Sequence, residues 1–308
     1  QVLFAGHSFD GEVAETIDFG DAMIGPGFVD LDALSDLDTT VLGYDNHPPE
    51  LKGRVWPQSY MQAGPREMYT PEELAWQKRY AFTRLIRNGI TTALPIASLF
   101  YRAWGETAAE FDAAADAAAD LGLRVYLGPA YRSGNLVVGT DRKIGFHYDE
   151  ARGFAGLDEA ARFIDRHENT HGGLVRTMLA PDRIETCTPE LLRRSGALAR
   201  DCDVPIRLHC CQSRLEYDLV VRQHGKSPLE LLRDTAFFAP GTILPHGLFL
   251  SGINGITHEA PDLDILTASG AALAHCPLVM ARSGKVMHSF PRFRDLGVTI
   301  GMGTDTHP

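Results

Sequence analysis

The chain has 308 residues, 44% of them hydrophobic and 22% charged, a balance that supplies ample apolar material for a large core. Its net charge of −11 argues against a phosphate-backbone partner, since nucleic-acid binding rests on Lys and Arg neutralising phosphates, and makes a neutral or cationic small molecule easier to accommodate. No run reaches the roughly 18 to 20 apolar residues that span a bilayer, and the start lacks the basic-then-apolar layout of a signal peptide.

Five cysteines (Cys187, Cys202, Cys210, Cys211, Cys276) are odd in number and include an adjacent pair, so reduced thiols in a cytoplasmic protein are expected rather than a disulfide framework. The chain opens on Gln1, in what reads as a strand over 2–6, which suits a fragment of a longer protein. Up to about residue 24, short apolar runs broken by Gly and Asp predict small strands.

Residues 27–32 alternate as a buried strand, and an irregular stretch rich in Pro, Gly and Asp follows to residue 65; loops of that length are usually functional. Thr70-Pro71-Glu72-Glu73 is an N-cap with Pro at the first helical position, leading a helix that stops at Asn88-Gly89 before a strand over 90–94. The unit recurs: helix 106–121 with strand 124–127, helix 157–167 with strand 174–179, and helix 188–199 with strand 205–209. Helix 228–233 with strand 242–246, helix 261–268 with strand 271–275, and a helical turn 290–296 with strand 298–301 complete the series. Eight strands separated by helices predict an α/β chain folded as a parallel (β/α)8 TIM barrel. The alternative is an open doubly wound sheet, for which no Gly-rich phosphate fingerprint follows the first strand.

In a barrel, side chains at the C-terminal strand ends converge on one mouth. Asp32, His209, His246 and His275 close apolar strands one, five, six and seven, and Asp305 follows the eighth. Each His alone reads as a hydrogen-bonded, partly buried residue, whereas the set matches the N/O ligands of Zn²⁺ or Fe²⁺. Trp56, Tyr60 and Gln62 in the long loop read as pocket walls or a packed lid. Arg132, Arg176 and Arg207 lie on or near strands and could clamp a substrate carboxylate or form structural ion pairs. Asp36 and Asp38 could add carboxylates, Cys211 and Cys276 sit near the rim, and His307 follows the Asp305 loop.

The segment 24–30 (IGPGFVD) resembles the entry to the first barrel strand in amidohydrolases of the cytosine deaminase, guanine deaminase and triazine chlorohydrolase group. Ala274-His275-Cys276-Pro277, with Ser283-Gly284 downstream, is similar to that group's "HCP" segment, and 297–305 to its "GTD" ending. The resemblance implies that residues 1–24 belong to a small β-sandwich formed by both chain ends and 25–308 to the barrel. It implies that His209 and Asp305 are ligands of a divalent metal, Zn (or Fe/Mn). His246 would contact the activated water or the substrate, and Asp305 would also accept a proton. A homodimer and a small-molecule substrate follow from the same likeness.

Two residues depart from the pattern. The first strand of the group ends in His-x-His, where this chain has Asp32-Ala33-Leu34; Leu34 cannot bind a metal, whereas Asp32 can, as a hard oxygen ligand alongside His209, Asp305 and His246. Three residues past His209 the deaminases carry a proton-shuttling Glu, and here stands Gln212, whose amide does no acid/base work near neutral pH. The expected site is therefore metal on His209, Asp305, Asp32 and His246, with Asp305 and His246 catalytic and His275, Gln212 and Gln62 on the substrate. Three outcomes stay open: a C–N hydrolase with a rebuilt metal site, different chemistry on the same barrel, or a repurposed barrel that binds a ligand without metal or turnover.

Overall fold

The structure, a computed structural model, describes residues 2–36, 55–64, 69–97, 104–282 and 284–306. Eight short strands form the barrel: β1 (Phe28–Leu34), β2 (Ile90–Ile96), β3 (Arg124–Leu127), β4 (Val175–Thr177), β5 (Ile206–Arg207), β6 (Thr242–Pro245), β7 (Ala272–His275) and β8 (Ile300–Met302). They pair in parallel and in chain order within two four-stranded halves, β1 to β4 and β5 to β8.

Both seams between the halves are hydrogen-bonded. At one, Leu179 bridges Ile206, and Arg207 N donates to Leu179 O at 2.9 Å. At the other, Asp305 N donates to Asp32 O at 2.7 Å, and the Asp30 carboxylate accepts Thr304 N at 3.0 Å and Thr304 Oγ1 at 2.7 Å. The sheet thus closes on itself.

Around it lie α1 (Pro71–Arg87), α2 (Ala108–Leu121), α3 (Glu150–His167), α4 (Pro189–Cys202), α5 (Arg214–His224), α6 (Pro228–Asp234), α7 (Asp262–Ser269) and α8 (Phe290–Asp295). The first six start the same way: a Thr, Ser or Asp cap accepts the backbone N–H three residues on, which satisfies one of the four orphan donors of a helix start. The apolar core between helices and strands has two main parts, one under α1 and α2 and a larger one under α4 to α8. No described helix is long and apolar enough to cross a membrane.

Four sequence expectations need correction. The strands predicted before residue 24 do not form: residues 2–27 hold no strand and are exposed. Helix α3 starts at Glu150 rather than 157. Its first turns contain Gly153 and Gly156, poor helix formers, yet a Cβ at either would lie 2.6 Å or 2.5 Å from Ser133 or Tyr131 on the barrel side. Close packing, not propensity, selects those glycines. Helix α5 went unpredicted because its polar surface residues mask the apolar stripe of Tyr217, Leu219 and Val220. Finally, the irregular stretch contains the strand Val55–Pro57 and the helix Gln58–Ala63, and the strand pairs with an unforeseen hairpin, Gly134–Val138 with Ile144–Tyr148.

Candidate metal centre

Asp32, His209 and His246 are brought from the ends of β1, β5 and β6 to one point, where one ligand atom of each lies within 4.8 Å of the others. All three are buried. Asp32 Oδ1 is 3.6 Å from His209 Nε2 and accepts no hydrogen bond from any described residue. A buried carboxylate oxygen beside two imidazoles is what a cation site requires. Burial raises the Asp32 carboxyl to about 6, against the pull of the Arg207 guanidinium.

His209 is oriented from behind. Its Nδ1 lies 2.8 Å from Asp182 O, its backbone N–H donates to the same carbonyl at 3.1 Å, and Nε2 is thereby turned to Asp32. The His246 ring stacks on His209 with centroids 5.6 Å apart. His246 has φ 82°, a left-handed backbone costing about 1–3 kcal/mol for a non-glycine and concentrated at functional sites. Its N–H donates to Ala274 O at 2.9 Å, which ties the turn after β6 to β7.

Asp305 stands at the mouth, its Oδ2 3.8 Å from His246 Nε2 and its side chain 17% exposed. Gly303 makes the approach possible: a Cβ there would lie 2.8 Å from Asp32 Cβ and from Cys276 Sγ. The Cys276 thiol donates to Asp32 Oδ2 at 3.6 Å. Burial and the Asp32 charge push that thiol well above the usual range, so Cys276 is a donor rather than a nucleophile.

His275 is not brought to this group. Successive residues of a strand alternate in direction, and with Cys276 pointing inward, the His275 ring lies 6.2 Å from that of Phe290 on α8. Gln212 is buried, and its Oε1 accepts from Arg183 NH1. Glu216 on α5, which sequence reasoning missed, takes the N–H groups of Cys211 and Gln212 and fixes the turn after His209; its place three residues into a capped helix is the only sequence signal. Cys210 and Cys211 are unbridged, with Sγ atoms 3.6 Å apart.

Gln62 is exposed on the helix Gln58–Ala63. Trp56 and Tyr60 stack at 5.2 Å, and Trp56 packs with Met61, Val137 and Trp104 on the side sheet. Arg132 NH1 donates to Asp182 Oδ2 at 3.1 Å inside the protein, Arg176 pairs with Glu168 at the surface, and Asp36 is buried after β1. Asp38, Ser283 and His307 lie outside the described residues.

A family model described as "Amidohydrolase family" matches residues 26–307. The 5-methylthioadenosine/S-adenosylhomocysteine deaminase of Natronomonas pharaonis is 27% identical over 308 residues, covering 99% of this chain and 62% of its own. That of Thermococcus kodakarensis is 27% identical over 297 residues, with 96% and 61% covered. This chain therefore spans under two thirds of the length of these relatives. Among solved structures, guanine deaminase from C. acetobutylicum with bound guanine superposes with TM-score 0.68 at 18% identity, covering 95% of this chain and 64% of the other. A zinc-bound adenosine deaminase from Xanthomonas campestris gives TM-score 0.67 at 20% identity, with 91% and 55% covered. At those identities the likeness is one of fold.

Proposed function

Given that the chain belongs to the amidohydrolase family, we propose that it is the barrel of a metal-dependent hydrolase opening a C–N bond (amide, cyclic amide or amine) of a small molecule. The observation that carries this reading is the convergence of Asp32, His209 and His246 within 4.8 Å. With Asp305 they would hold one divalent ion, zinc in the first instance or iron or manganese, since two imidazoles and two carboxylates suit a borderline cation. Such an ion supplies the Lewis acidity that makes water a nucleophile near neutral pH.

The chain's own groups do the rest. Asp305 meets solvent at the mouth and takes the proton of the attacking water. His246, 3.8 Å from Asp305, contacts the attacking water or the substrate. With Oε1 engaged by Arg183, Gln212 offers a substrate only its NH₂ donor, so it binds and cannot shuttle protons. A role for Gln62 on the substrate belongs to the same proposal, as do a sandwich domain over 1–24 beside the barrel 25–308, a homodimer and a cytoplasmic setting.

The deaminase activities named for the relatives make amino-substituted purines the first compounds to assay, beside cyclic amides. A second reading, a barrel that binds its ligand without turnover, is favoured by Leu34 and Gln212 standing where the family pattern has His and Glu. Metal analysis separates the two: about one equivalent of zinc is expected after reconstitution, and less than about a tenth, unchanged by Zn²⁺ or Mn²⁺, overturns the hydrolase reading.

A further inference from the structure

Among the described residues Arg207 is the largest fully buried side chain, and it lies on β5, two residues before His209. The shared parity turns both inward. Its guanidinium is fastened across the barrel to the end of β2: NH1 donates to Leu94 O at 2.8 Å and NH2 to Pro95 O at 3.4 Å. Held by those carbonyls, it keeps NH1 3.9 Å from Asp32 Oδ1, the same oxygen that faces His209 Nε2 at 3.6 Å. One carboxylate oxygen thus stands between a permanent cation and the imidazole pair, because a guanidinium keeps its proton in proteins.

We propose that Arg207 is a built-in counter-cation of the centre: it offsets the buried charge of Asp32 when no metal is bound and, by its own charge, holds down the affinity for a divalent ion. This rests on the metal reading above. A residue that merely orients a ligand strengthens metal binding, by roughly 10- to 100-fold. A fixed positive charge one carboxylate away from a divalent ion acts in the opposite sense, and in a water-poor interior the repulsion is the larger effect. The sign of the change on removing Arg207 therefore distinguishes the two roles.

The test is Zn²⁺ titration of the full chain against a competing chelator, comparing wild type, R207Q and R207K, with thermal unfolding of each with and without Zn²⁺. R207Q, which keeps a donor for the β2 carbonyls and loses the charge, is expected to bind zinc at least about 10-fold more tightly and to be less stable without it. R207K, whose ammonium faces the Asp32 carboxylate that favours its charged form, is expected to stay nearer wild type than R207Q does. Where apo R207Q is too unstable to titrate, a larger zinc-induced thermal shift than in wild type is the expected sign. Equal or weaker binding by R207Q, an equal or smaller thermal shift, or R207K tightening as R207Q does, overturns the proposal while leaving the metal reading intact. Zinc bound by R207Q and not by wild type supports it and overturns the hydrolase reading; zinc bound by neither overturns both.

Discussion

At Gly303 the chain of β8 passes so close to β1 that even a methyl group has no room, its nearest neighbours being Asp32 and Cys276. Gly303→Ala is predicted to destabilise by about 1–3 kcal/mol, read by chemical denaturation, and to lower zinc content by displacing Asp32. Asp32→Ala is predicted to lower zinc content as well; full retention would show that β1 has left the centre. Asp305→Asn should reduce turnover by about 100-fold or more, measured on whichever C–N substrate the assay yields. The strand-end residues Asp32, His209, His246 and Asp305 were legible because a polar group closing an apolar strand is costly without a purpose. Asp182 was not, since its contacts depend on strand register and backbone carbonyls. His275 shows what alternation could have told: it shares parity with Leu273, which packs in the outer core, and so points away from the centre.

The elements themselves were read most accurately where local chemistry acts alone. Thr70 accepts Glu73 N at 3.3 Å, as the N-cap reading of the sequence expects, and Glu73 Oε2 accepts Thr70 N at 2.8 Å in return. Thr70→Ala is predicted to cost about 1 kcal/mol, seen as a shift of the urea midpoint. In α4, a Cβ on Gly196 would lie 2.5 Å from Phe237 O; backbone cannot yield as a side chain can. Gly196→Ala, normally favourable in a helix, is therefore predicted to destabilise, and a raised melting temperature would refute the packing. The early start of α3 and the side hairpin were hidden for a related reason: both are selected by what they pack against, which one-dimensional periodicity does not contain.

For the molecule as a whole, eight strands separated by seven helices were legible, because the barrel is the closed form of a repeated unit. A linkage between metal and fold follows only from the proposed centre. A ligand present at 100 times its dissociation constant stabilises by about 2.7 kcal/mol, a few degrees of melting temperature for a chain of this size. Zinc is predicted to produce that rise, EDTA to reverse it, and Asp32→Ala to blunt it in calorimetry.

The tie between Asp30 and Thr304 spans 274 positions of the chain. During synthesis the first strand leaves the ribosome long before the residues that complete its seam, and its buried carboxylates must wait, hydrated, until the far end arrives. Contacts of such sequence separation are slow to form, because the loop entropy is lost before the contact is gained. Assembly of the centre is thus predicted to come late in folding, and the time course of zinc capture by refolding chains would check it.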